Sequence, residues 1–253
     1  MPILEQLFQD AKARAKSTPS DFVARSMLWQ VYAARGEFDR ARKQLDVMSD
    51  LDSSWLIEVQ ACHGLIAAEE QRAAVFGGKV PPVCLGEPPA WFVKLAAALP
   101  LLAQGSKEDA LSLLREVRDM NEAAPGSLNG EPFSWACDGD ARVGPCLEVI
   151  VQGKYLWVPW SAVHKLETRP PTEVRDHLWQ PASLQVTEEG PIEAFIPVRY
   201  TSPANESQAM SRSTDWQPLD EEFFIGFGQK CLMTDSLEAG YLDIRSLTFG
   251  AGT

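Results

Sequence analysis

The apolar residues of this chain change their period once, near residue 130, and that change does most to limit the fold. Before it the spacing is helical. Leu4, Leu7, Phe8, Ala11 and Ala15 recur at i, i+3, i+4 and i+7, the stripe of an amphipathic helix. The segment Ser17-Thr18-Pro19-Ser20-Asp21 ends that helix and offers Ser20 or Asp21 as the next N-cap. Phe22 to Met48 then reads as two helices about the turn Arg35-Gly36-Glu37-Phe38, and Trp55 to about Ala74 reads as another. A loop rich in Gly and Pro follows, and Trp91–Ala103 and Lys107–Asn121 form a last helical pair joined at Gln104-Gly105-Ser106. After residue 130 the period shortens to that of strands. Glu148–Val151 and Tyr155–Val158 flank Gln152-Gly153-Lys154 as a hairpin. Further strands are expected at Ser183–Val186, Ile192–Val198, Phe223–Phe227 and Leu247–Phe249. The expected class is α+β, with a helical domain over residues 1–125 and a smaller β-rich domain over 126–253.

The helical part contains a repeat. Leu28, Tyr32, Gly36, Phe38, Ala41 and Leu45 fall at the offsets of a tetratricopeptide helix–turn–helix unit. In such a unit the glycine permits the turn, the alanine lets two helices approach, and the larger residues fill the seam. Ala97, Leu101, Gly105, Ala110 and Leu114 repeat the spacing. The two turn glycines stand 69 residues apart, about twice the 34-residue period. A tetratricopeptide-like array with a degenerate middle unit is therefore expected, the alternative being a generic helical bundle.

Charge and motifs narrow the function. The formal charge is −12, and residues 131–253 hold 9 basic against 18 acidic side chains. Phosphate contacts need clustered Lys and Arg, so no nucleic-acid partner is expected, and an anionic membrane surface is equally unsuited. No apolar run approaches the roughly 18 residues of a membrane span. The start, Met1-Pro2-Ile3-Leu4-Glu5, has neither a basic n-region nor an apolar h-region, so the expectation is a cytoplasmic protein. Five widely spaced cysteines without C-x-x-C and three scattered histidines suggest reduced thiols, no metal and no cofactor. There is no G-x-S-x-G elbow and no phosphate-loop motif.

The densest polar cluster is Asp138-Gly139-Asp140-Ala141-Arg142, followed by Gly144-Pro145 and Glu148. Paired carboxylates at Asp138, Asp140 and Glu148 could serve a hydrolase or lyase as acid and base, or hold a hard cation. The structural reading is that the Asx side chains cap turns and Arg142 clamps one carboxylate through a bidentate pair.

Phe133-Ser134-Trp135, the run Asp138 to Pro145 and Glu148 resemble the signature of the ImpE family. So do Gly153–Pro159, with Trp157 inside it, Leu178–Ala182, Ile196–Tyr200 and Arg212–Trp216. The resemblance implies a non-enzymatic accessory protein of the bacterial type VI secretion system. Its implied partners are an N-terminal helix of the small contractile-sheath subunit TssB and, functionally, the sheath-disassembling ATPase ClpV. It supplies no catalytic residue, and Trp135, Asp138, Asp140, Arg142, Gly144, Pro145 and Trp157 read as a structural motif. A tetratricopeptide array presents a concave face built by the first helix of each unit. That face holds Val23, Ser26, Gln30 and Ala33 in the first unit and the apolar stripe Phe92, Leu95, Leu99 and Leu102 in the last. The stripe either takes an amphipathic partner helix or packs against the chain's own β-rich part.

Overall fold

A computed structural model describes residues 3–186 and 190–250. The helices are α1 (Ile3–Ser17), α2 (Phe22–Ala34), α3 (Phe38–Leu51), α4 (Leu56–Phe76), α5 (Phe92–Gln104), α6 (Lys107–Met120) and a single turn, α7 (Glu206–Ala209). Asp21 caps α2, its carboxylate accepting the Ala24 N–H at 2.9 Å. Helices α2 and α5 end in the same way. Gly36 and Gly105 take φ of 74° and 82°, which an L side chain tolerates poorly. The N–H one residue beyond each glycine returns to the carbonyl five residues back, Glu37 to Tyr32 at 2.8 Å and Ser106 to Leu101 at 2.9 Å. This is the Schellman arrangement, and it reverses the chain into α3 and α6. The class is α+β. No helix among the described residues is long and apolar enough to cross a membrane.

From Gly126 onward strands dominate, with α7 and short 3-10 turns between them. They are β1 (Gly126–Leu128), β2 (Glu131–Phe133), β3 (Ala136–Asp138), β4 (Cys146–Val151), β5 (Lys154–Pro159), β6 (Lys165–Thr168), β7 (Trp179–Gln185), β8 (Ile192–Pro197), β9 (Thr214–Pro218), β10 (Phe224–Gly228), β11 (Cys231–Thr234), β12 (Glu238–Gly240) and β13 (Ser246–Phe249). Eight form one antiparallel sheet in the order β2-β1-β13-β6-β7-β8-β4-β5. Strands β12-β11-β3 make a second sheet, and β9-β10 a hairpin. The β4–β5 hairpin turns on Gln152 and Gly153 with φ of 50° and 74°, the positive pair required by a two-residue turn matched to strand twist.

Strand β4 shows what the sheet does. Cys146 and Ile150 join the apolar cluster beneath the helices, while Leu147 and Val149 join a second cluster on the opposite face. The period-2 alternation therefore feeds two cores, and both faces are buried. The first cluster runs from Leu4 in α1 to Trp179 in β7 and Leu219, so the helices and the sheet share one core. Trp157 of β5 sits at its centre, with ring centroids 6.0 Å from Phe76 and 6.3 Å from Phe92. The α4–α5 loop closes the exposed edge of β5. The Trp157 N–H donates to the Val83 carbonyl and the Leu85 N–H to the Trp157 carbonyl, both at 2.8 Å.

Candidate functional site

The carboxylates of the D-G-D segment lie in the interior. Asp138, Asp140 and Glu148 are buried, and each is matched by a cation. Arg142 grips Asp140 through Nε at 2.9 Å and Nη2 at 2.5 Å, and the Gly226 N–H donates to the same carboxylate at 3.0 Å. Asp138 accepts from Tyr200 at 2.9 Å, Tyr241 at 2.7 Å and Lys230 at 2.9 Å. Glu148 accepts from Arg72 Nε at 2.6 Å and Nη2 at 3.1 Å, from the Tyr155 hydroxyl at 2.5 Å, and from Lys230. Arg72 comes from α4 and is sealed from solvent, so this pair bolts the helices to the sheet across 76 residues of sequence.

The electrostatics follow from that enclosure. Burial alone would raise the Glu148 carboxyl, but Arg72 and Lys230 outweigh it and hold the group well below the usual carboxylate range. Burial raises Asp138, and Lys230 offsets only part of that. Burial also lifts the Tyr155, Tyr200 and Tyr241 hydroxyls far above their ordinary values. A proton donor or acceptor for substrate has to reach the substrate. These carboxylates have their bonding capacity taken up by the chain, which makes the cluster a structural clamp. The cysteines are free thiols, and burial pushes Cys62, Cys137 and Cys231 up to about 12, which suits core residues and not nucleophiles.

Two glycines of the motifs are needed for close approach. A Cβ on Gly139 would lie 2.4 Å from the Trp216 ring, and one on Gly226 would lie 2.2 Å from the Tyr200 ring. The Gly226-Phe227-Gly228 sequence thus lets β10 lie against Tyr200.

The expected helix-binding face requires correction. Leu95 and Leu99 are sealed in the core, Phe92 packs edge-on against Trp157, and Leu102 is half-buried against the same cluster. In the first unit Val23 is 61 % exposed and Ser26 half-buried, but Ala33 is buried. Gln30 is buried too, its side-chain carbonyl accepting the Arg175 N–H at 3.0 Å. The chain's own β-rich part covers this side of the helices: the β4–β5 hairpin packs apolar residues against it, and the turn before β7 meets Gln30 of α2 through a hydrogen bond. An apolar helical stripe has the same sequence pattern whether it meets a partner or its own chain.

The open apolar surface lies elsewhere. A cleft of about 720 Å³ runs between α6 and the β-rich part. Leu114 and Val117 of α6 form one wall; Trp135, Trp216, Phe224 and Met233 form the other. Trp135 and Phe224 are 39 % and 38 % exposed, high for large apolar side chains. Ion pairs bridge the rim. Arg115 meets Asp220 at 2.6 Å and Arg118 meets Glu222 at 2.8 Å, joining α6 to the β9–β10 connection. Asp138, Gly144 and Pro145 of the signature also line the cleft, whereas Asp140 and Arg142 lie behind it and Trp157 is in the shared core. Trp135 was legible as part of a motif; the cleft was not, since five separated segments build it.

This two-part architecture with a clamped D-G-D segment places the chain in a known class. Residues 130–248 match the family model described as ImpE protein. Over 249 residues the chain is 36 % identical to the type VI secretion system accessory component TagJ of Pseudomonas aeruginosa, an alignment covering 97 % of this chain and 87 % of that one. The chain belongs to the ImpE family. Its fold is shared with protein VPA1032 from Vibrio parahaemolyticus, known from a crystal structure, at a TM-score of 0.89 and 23 % identity, covering 98 % of this chain and 94 % of that one.

Proposed function

We propose that this chain is a non-enzymatic accessory protein of a type VI secretion system. In this reading it holds an N-terminal amphipathic helix of the small sheath subunit TssB and acts alongside ClpV in the cytoplasm. The system is the one in which the TagJ relative is an accessory component. The observation that carries the binding role is the open apolar cleft between α6 and the β-rich part, with Trp135 and Phe224 presented to solvent. A helix laid in such a groove is held by a few apolar anchors, and aromatic side chains supply them well. The matched Schellman turns after α2 and α5 support the reading of the helical part as a tetratricopeptide-like array, used here as a platform whose concave side is filled by its own sheet.

The test is a titration of a TssB N-terminal peptide into the full-length chain and into its Trp135→Ala and Phe224→Ala variants. Both side chains are surface-exposed, so the variants should keep the wild-type far-ultraviolet spectrum. Loss of an interface anchor costs about 2 kcal/mol or more, so each variant should bind about thirtyfold more weakly. Wild-type affinity in both would place the helix on another surface. The substitution Leu99→Asp is no test of binding, because it puts an unpaired charge in the core and attacks the fold first.

A further inference from the structure

A second cavity, of about 670 Å³, opens on the other side of the buried clamp, between the α2–α3 turn, the end of α4 and the loop from Thr201 to Glu206. Its walls are largely apolar, with Leu4, Phe38, Ala73, Phe76 and Ala209 among them. Arg199 lines it, from the signature segment Ile196–Tyr200, and is only 4 % exposed. One end of the guanidinium is anchored. Nη1 donates to the Ala34 carbonyl at 3.1 Å and to the Ala209 carbonyl at 2.9 Å, the last residues of α2 and α7. Nε and Nη2, the edge that forms a bidentate pair with a carboxylate, have no hydrogen-bond partner among the described residues. That edge is reachable. Among the described residues the sealed side-chain atoms without a hydrogen-bond partner are Arg175 Nε and His177 Nδ1, so the unbonded Nε and Nη2 of Arg199 are not sealed, and the residue lines the cavity.

Ion pairing sets the same group apart. Arg35 and Arg142 also line the cavity, and Glu5 and Asp140 neutralise them. Of the lining anions, Glu69 is engaged by Arg72 and the Trp179 indole, and Glu206 accepts the Leu4 N–H. Among the described residues Arg199 has no carboxylate within ion-pair distance. Burial lowers its guanidinium from the usual value, and Glu69 offsets this only in part. A buried cation with no carboxylate in contact is costly, and a ligand that supplies one recovers part of that cost.

We propose that this cavity binds a small organic carboxylate with an apolar body, its carboxylate gripped by the Nε–Nη2 edge of Arg199. The planar fork matches two carboxylate oxygens, and the volume lies within the range of about 300–1,000 Å³ found for small-molecule sites. A phosphate dianion fits less well, because the one guanidinium without a contacting carboxylate leaves its second charge unneutralised in a largely apolar cavity. The site is separate from the helix-binding cleft, and its test does not depend on that assignment.

The test is calorimetric titration of the full chain with 3-phenylpropanoate, its neutral amide and inorganic phosphate. Saturable binding of the acid is expected, with the amide at least about tenfold weaker, the effect of removing one charge-assisted bidentate contact. Arg199→Lys keeps the charge and loses the fork, so the acid should bind about tenfold more weakly. Ala73→Trp, at an exposed position on the cavity mouth, should abolish binding by occupying the space. Should Arg199→Lys fail to fold, the acid–amide comparison and Ala73→Trp decide the matter. Equal binding of acid and amide, no saturable heat with millimolar acid, or full affinity in Ala73→Trp would overturn the proposal and leave Arg199 as a cap for two helix ends. Phosphate binding as tightly as the acid would overturn the carboxylate assignment.

Discussion

Replacing Arg72 by Met tests whether the buried charges hold the two parts together. Arg72 is sealed from solvent and makes four polar contacts: Nε and Nη2 to Glu148 at 2.6 and 3.1 Å, Nη2 to the Arg199 carbonyl at 2.9 Å, and Nη1 to Glu69 at 3.3 Å. Methionine keeps most of the volume and removes every donor. Glu148 is then left with Lys230 and Tyr155, and Lys230 is also held by Asp138, so the interior carries an excess negative charge. Breaking a buried pair from one side costs about 3–5 kcal/mol, a large share of the roughly 5–15 kcal/mol that stabilises a typical domain. At about 2–4 °C per kcal/mol for a chain of this size, the melting point should fall by roughly 6–20 °C. The assay is thermal and urea denaturation, each followed by tryptophan fluorescence and far-ultraviolet circular dichroism. The pair Arg72→Met/Glu148→Gln restores neutrality, so its loss should be smaller than the sum of the single losses, with a coupling of about 0.5–3 kcal/mol. A single variant within about 1 kcal/mol of wild type, or additive losses in the pair, would refute the clamp.

Two further outcomes follow from the geometry. Gly36→Val should destabilise by about 1–3 kcal/mol, because φ is 74° and nothing within 4 Å of a Cβ there would clash, so the cost is purely conformational; thermal melts check it. Acidification should weaken the fold through Glu148: its carboxyl is depressed in the folded chain, so its contribution is complete above the ordinary value of 4.5 and is lost as pH falls below it. Asp138 is raised and acts in the opposite sense, favouring the folded chain at low pH and losing that contribution as pH climbs past its folded value. Glu148→Gln should therefore flatten the fall of the urea midpoint below about pH 4.5, and an unchanged acid limb would assign that fall to other carboxylates.

Features written in adjacent residues were legible in the sequence, and features assembled across the chain were not. Gly36, Gly105 and the pair Gln152-Gly153 mark turns because the conformation they need is local. The hairpin of β4 and β5 was visible for the same reason; the structure starts β4 two residues earlier and extends β5 by one residue at either end. Arg72–Glu148 spans 76 residues, and no local pattern states the pairing. A signal did exist. Glu69 and Arg72 follow Cys62, Leu65 and Ile66 on the buried face of α4, and charged residues on an apolar stripe call for partners inside. The face of α5 misled because periodicity reports that a helix buries one side and does not say against what.

The clamp and the cleft are connected through Asp138 of the D-G-D segment. Asp138 lines the cleft and also takes Lys230, which bridges to Glu148 and through it to Arg72 of α4. One wall of the cleft is α6, from the helical part; the other is Trp135, Trp216 and Phe224, from the β-rich part. Neither part holds a complete groove. The width between the walls is set at the rim by exposed ion pairs, which contribute little each, and at depth by the shared core and the clamp, which contribute much. Buried carboxylates paired with cations are then what the proposed adaptor role requires of this segment. The charges fix the register of two structural layers, and the aromatic groove exists only where those layers meet.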